Sequence, residues 1–116
     1  MQREIEFRIW DEESQEMISW DQIKAKDFYV STLVAWPNLC QFTGLLDSKG
    51  RKIFEGDILV YRPDYTESLG GQRENLLSLV KFENGAFMFG DEIAEQELAN
   101  LHQIRGNIFE HSNLLK

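Results

Sequence analysis

The sequence predicts a mainly β fold with minor α content, and three observations carry that prediction. Glu55-Gly56-Asp57 turns the chain into Ile58-Leu59-Val60-Tyr61, four strand-forming residues in a row that suit a strand buried on both faces. Asn84-Gly85, between apolar arms, is the signature of a tight hairpin. The run from Gln103 to Phe109 supplies a closing strand, interrupted by Gly106-Asn107, where a bulge is expected. Together they predict a small, partly open barrel of SH3-like character formed after Gly56, preceded by an N-terminal hairpin. At 116 residues the chain fits one domain, 1–116, with a single modest core.

Taken in order, Ile5, Phe7 and Ile9 alternate with Glu4, Glu6 and Arg8, the pattern of a half-buried strand, and Trp10 follows. Asp11 to Gln15 is a polar turn, after which Met17-Ile18 returns as the second hairpin arm. Ser19 and Gln22 have capping-box spacing, so a turn or two of helix is expected there, with Trp20 and Ile23 on one face. Phe28 to Trp36 is aromatic and β-branched and reads as a strand that ends at Pro37. Gln41 to Leu45 is a short apolar segment, Asp47-Ser48-Lys49-Gly50 has β-turn chemistry, and Ile53-Phe54 resumes the strand. Residues 62–75, with Pro63, Gly70 and Gly71, read as a long loop. Leu76 to Phe82 and Ala86 to Phe89 form the arms around Asn84-Gly85. Ile93, Ala94, Leu98 and Leu101 lie at near-helical spacing among Asp91, Glu92, Glu95 and Glu97, which predicts a short amphipathic helix.

The central stretch also resembles a known family. Gln41-Phe42-Thr43-Gly44-Leu45, Asp47, Gly50 and Glu55-Gly56-Asp57-Ile58 are similar to the core motif of the YopX family, small proteins encoded largely by phages and prophages. The resemblance extends to Arg8-Ile9-Trp10-Asp11 with Met17-Ile18, to Val80-Lys81-Phe82 with Gly85-Ala86-Phe87, and to Gly106-Asn107-Ile108-Phe109-Glu110 with Leu114-Leu115. Leu46 and Ser48 depart from the more polar or basic residues of the pattern, and residues 62–75 match no part of it. The resemblance implies a phage setting and a β-rich fold, and it names no activity.

Hydrophobic residues make up 42% of the chain and charged residues 28%, ordinary values for a soluble globular protein. The net charge is −8; residues 1–60 hold 11 acids and 7 bases, and residues 61–116 hold 9 acids and 5 bases. Such a balance repels a phosphate backbone, so nucleic acid is disfavoured as a partner. The one dense basic run, Lys49, Arg51 and Lys52, reads as a solvated hairpin tip. A single cysteine, Cys40, excludes an internal disulfide and reads as a buried structural thiol. The polar, acidic start differs from a signal peptide, and no apolar run approaches the ~20 residues that cross a bilayer, so a cytoplasmic protein without a membrane partner is expected.

Candidate chemistry is sparse. His102 and His111 lack a cysteine or second histidine at ligand spacing and read as solvated or edge residues. Asp47, Glu55 and Asp57 would offer an acid and base pair or a cation site if the hairpin brought them together. The favoured reading of the motif residues Gln41, Thr43, Gly44, Asp47, Gly50, Glu55, Gly56, Asp57, Gly106 and Asn107 is structural, with the aspartates accepting backbone N–H bonds in turns. The three tryptophans and eight phenylalanines fall at strand spacing and read as core. No catalytic residue, metal or cofactor is assigned. The expected function is a noncatalytic binding or regulatory protein acting on an unidentified protein partner, with homo-oligomerisation through sheet edges. The alternatives are a nucleic-acid-binding barrel, by fold analogy alone, and an enzyme using the three motif carboxylates.

Overall fold

The computed structural model describes residues 5–25, 38–61, 77–111 and 113. The expected strand at 28–36 and the 62–75 loop lie outside these residues. Among the described residues nine strands form two sheets. The first, in the order β2-β1-β3-β4, contains β1 (Phe7–Asp11), β2 (Glu16–Ile18), β3 (Leu39–Leu46) and β4 (Lys52–Phe54). The second, in the order β8-β7-β6-β5-β9, contains β5 (Asp57–Tyr61), β6 (Leu77–Glu83), β7 (Ala86–Phe89), β8 (Glu92–Ile93) and β9 (His102–Asn107), and it curls into a half-barrel. All the strand pairs are antiparallel.

The N-terminal hairpin forms as its alternation predicts, with Trp10 opposite Met17. Helix α1 (Trp20–Ala25) starts at a reciprocal capping box: Ser19 N–H donates to Gln22 Oε1 at 2.9 Å and Gln22 N–H to Ser19 Oγ at 3.2 Å. Its one buried residue, Ile23, packs with Ile9 to form a small core under Phe7, Ile18, Trp20 and Leu39. The larger core is built from Ile53, Leu59, Val80, Phe89 and Ala99, so one β4 residue enters the interior of the half-barrel. Every residue of β5 is buried, as the unbroken apolar run requires of a strand covered on both faces. Asn84 and Gly85, at φ +53° and +83°, make the two-residue turn between β6 and β7, with Glu83 opposite Ala86.

Three expectations are corrected. Residues 91–101 do not form one amphipathic helix. Gly90, in the left-handed region at φ +60°, turns the chain so that Ile93 pairs with Met88 in β8, and only α2 (Gln96–Ala99) is helical. Tertiary pairing splits the helical spacing: Ala94 and Leu98 pack on the core, whereas Ile93 remains 68% exposed. His102 is buried, not solvated, because β9 turns it inward between Tyr61 and Phe89, with ring centroids 4.4 and 5.9 Å away. Its Nδ1 lies 2.9 Å from Leu98 O, and a carbonyl only accepts, so that bond requires Nδ1–H. The final strand stops at Asn107, and its bulge falls one step earlier than Gly106-Asn107. Ile58 pairs with Gly106 and Leu59 with Ile104, leaving Arg105 as the extra residue.

Candidate functional site

The motif carboxylates are the first candidates, and they do not converge on a common point of chemistry. Asp47 sits at the tip of the β3–β4 hairpin with its side chain buried. Oδ1 accepts from the N–H groups of Lys49 and Arg51, and Oδ2 accepts from Ile104 N–H and Arg51 Nε, each at 2.9 Å. Burial pushes its proton affinity up, but the Ile104, Arg51 and Lys49 amides and the Arg51 guanidinium outweigh it and hold the carboxyl below its ordinary value. The same turn zips onto the outer edge of β9: Ser48 N–H donates to His102 O at 2.8 Å and Arg51 to Ile104 O at 3.0 Å. A five-residue turn thereby supplies the bonds that a neighbouring strand would make.

The basic tip is exposed at all three positions, as its reading expected, and two of its charges also pair with acids. Arg51 is bound to Asp47 and β9, Lys52 pairs with Glu6, and Lys49 is exposed. The physical reason is that each paired base lies beside an acid, Asp47 in the turn itself and Glu6 just before β1.

Asp57 is more deeply buried, at 1% exposure. Oδ1 accepts from Arg8 at 2.6 Å and Oδ2 from Phe54 N–H at 2.8 Å. Arg8 also lies 4.6 Å over the Phe54 ring, and its buried Nε has no partner among the described residues. Burial raises the Asp57 carboxyl above its ordinary value, and the attraction of Arg8 and the Phe54 amide offset only part of that rise. Glu55 is separately engaged: its Oε1 accepts from Gln41 N–H at 2.8 Å.

The uncharged motif residues perform backbone work. A register shift between Phe42 and Leu46 marks a bulge in β3, with Gly44 at φ +87°. Thr43 Oγ1 repairs the interrupted ladder by donating to Ile53 O at 2.8 Å and accepting from Leu45 N–H at 3.1 Å. Gly50 N–H closes the Asp47 turn. A Cβ on Gly56 would stand 3.3 Å from the Phe109 ring, and one on Gly106 would collide with His111 at 2.6 Å. Asn107 Oδ1 accepts from the N–H groups of Phe109 and Glu110. Cys40 is buried, and burial pushes its thiol up to about 11, which leaves little of the nucleophilic thiolate. Among the described residues no three His, Cys, Asp or Glu side chains gather as a metal site, and no helix is long and apolar enough to cross a membrane.

A second candidate is a surface that the sequence reading did not single out. An open groove of about 450 Å³ lies between β3 and the β6–β7–β8 edge, lined by Thr43, Leu45, Phe82, Phe87, Ile93 and Ala94 among others. Phe82 and Ile93 are 54% and 68% exposed. At one end the Gln96 side chain closes the β3 edge, its amide donating to Leu46 O at 2.8 Å and accepting from Leu46 N–H at 3.1 Å. The signal missed was charge at finer grain: residues 82–104 carry Glu83, Asp91, Glu92, Glu95 and Glu97 and no lysine or arginine, which halving the chain concealed.

The fold is similar to the crystal structure of protein EF1440 from Enterococcus faecalis, at 24% identity and a TM-score of 0.68 over 99% of this chain and 100% of that one. No curated protein matches the chain. The model of the YopX family, described as YopX protein, matches residues 6–116, spanning the motif, its two buried aspartates and both sheets. The chain belongs to the YopX family.

Proposed function

We propose that this protein is a noncatalytic binding or regulatory protein, encoded by a phage or prophage, that acts in the cytoplasm through contacts with another protein. One observation carries the reading. The motif carboxylates are engaged in internal bonds, while large apolar side chains gather unburied at the groove between the two sheets. Exposed apolar surface that adjoins a preformed groove is characteristic of an interaction site. The same bonds disfavour the carboxylate-enzyme alternative, since Asp47 and Asp57 would have to release backbone amides to act. Net charge disfavours a nucleic-acid partner.

Site-specific photocrosslinking in cells tests the proposal. A photoreactive residue replacing Phe82 is expected to trap a discrete polypeptide, and the same residue replacing Lys24 on α1 is expected to trap none. Equal labelling from both positions, or none from Phe82, would overturn it.

A further inference from the structure

We infer that the groove between β3 and the β6–β7–β8 edge docks a basic segment of a partner protein, one carrying a large apolar residue flanked by lysine or arginine. This rests on the protein-contact reading above and adds the chemistry of the partner.

The apolar half of the argument is the groove itself. Phe82 packs edge-on against Phe87, with centroids 5.1 Å apart, and leaves its outer face open. Ile93 forms the ridge between this groove and a second depression on its far side, lined by Lys81, Glu83, Met88 and Asp91, so it contributes to both walls. A single apolar side chain seated beside Ile93 would therefore contact both Phe82 and the ridge.

The charge half identifies the occupant. Glu92 and Glu95 adjoin Ile93 and Ala94 in the chain, and Asp91 and Glu83 lie across the ridge. All four are exposed, and the carboxylates of Asp91, Glu92 and Glu95 have no hydrogen-bond or ion-pair partner among the described residues, whereas Glu83 pairs with Lys81. Free carboxylates next in the chain to the groove's Ile93–Ala94 wall complement a basic segment that runs past it and raise its association rate. They repel a second copy of this chain, which would bring the same acids, and they repel phosphate backbones. Because β8 is only two residues long, recognition falls to side chains in the groove and not to strand addition along this edge.

Fluorescence polarisation with three short labelled peptides tests the inference. One alternates leucine and phenylalanine with lysine, the second has glutamate in place of lysine, and the third has serine in place of the apolar residues. The first is expected to bind, and the other two at least about tenfold more weakly. Glu92→Lys with Glu95→Lys, and separately Ile93→Ser, are expected to weaken the first peptide by about the same factor. Glu13→Lys with Glu16→Lys, which changes net charge equally at the β1–β2 hairpin, is expected to leave it unchanged. Urea melts confirm that each variant is folded.

Equal loss from both charge reversals, or binding of the glutamate peptide as tightly as the lysine peptide, would overturn the inference. So would a concentration-dependent dimer abolished by Ile93→Ser. Crosslinking from Phe82 that persists undiminished in the Glu92→Lys, Glu95→Lys variant would overturn the basic partner and leave the protein-contact reading standing.

Discussion

Asp47 and Asp57 lie ten positions apart in one motif, both almost without solvent contact, and they are held by opposite means. Asp47 is surrounded by donors: three backbone amides and Arg51. Asp57 has one amide and a single cation, Arg8, brought from the other sheet. Burial opposes ionisation in both. In Asp47 the donors win and its proton affinity falls, whereas in Asp57 burial wins and its affinity rises. The comparison teaches that the behaviour of a buried carboxylate is set by a balance between how deeply protein surrounds it and how many donors are aimed at it, and Asp57 lies deeper with fewer donors. The two sites also fasten different parts of the molecule, since Asp47 binds the β3–β4 tip to β9 and Asp57 binds β1 to the start of β5.

The largest effect is expected at Asp57. Asp57→Ala leaves the partly buried Arg8 guanidinium and the Phe54 amide without their acceptor, and breaking a buried pair from one side costs about 3–5 kcal/mol, read as a urea midpoint shift. A double change, Arg8→Met with Asp57→Leu, removes both charges and is expected to restore much of that loss. If the double variant is no better than the single one, the pair is contributing more than mutual neutralisation. Asp47→Ala strands the Ile104 amide and frees the hairpin tip, at about 2 kcal/mol, because the Lys49 and Arg51 amides lie on exposed residues that water reaches.

Acid titration separates the two sites by sign. Asp47 has a folded pKa below its ordinary 3.8, so its contribution is complete above that value and is lost as pH falls through the folded one. Asp57 has a folded pKa above 3.8, so it favours folding below the unfolded value and gives up that contribution as pH rises through the folded one. The destabilisation caused by Asp47→Asn is therefore expected to shrink on acidification, and that caused by Asp57→Asn to grow. Urea midpoints taken from neutral pH down to about 3 check this, and parallel curves would erase the distinction.

Smaller effects sharpen the comparison at the glycines and the tip. Gly56→Ala meets both a left-handed φ of +87° and the Phe109 ring, and is expected to lose about 2 kcal/mol. Gly50→Val meets an unfavourable φ of +77° in open space and is expected to lose about 1 kcal/mol. Lys49→Ala is expected to change stability by less than about 0.5 kcal/mol, in contrast to its bound neighbour Arg51.

The sequence by itself determined the strands whose signals are local. The alternation of β1, the capping box at Ser19 and Gln22, the unbroken apolar run of β5 and the Asn84-Gly85 turn each depend on residues within a few positions of one another. Only the tertiary structure decided the distant partners of the polar groups, whereas the turn amides that bind Asp47 and Asp57 lie within a few positions of them. Arg8 and Asp57 are 49 positions apart, Asp47 and Ile104 are 57, and Leu46 and Gln96 are 50, distances over which no spacing rule operates. The 91–101 segment shows the same division: its helical periodicity was real, but pairing with β7 claimed Ile93 and left one helical turn. The groove was likewise assembled from β3 and the β6–β7–β8 edge, so its apolar lining becomes one surface only when the sheets meet.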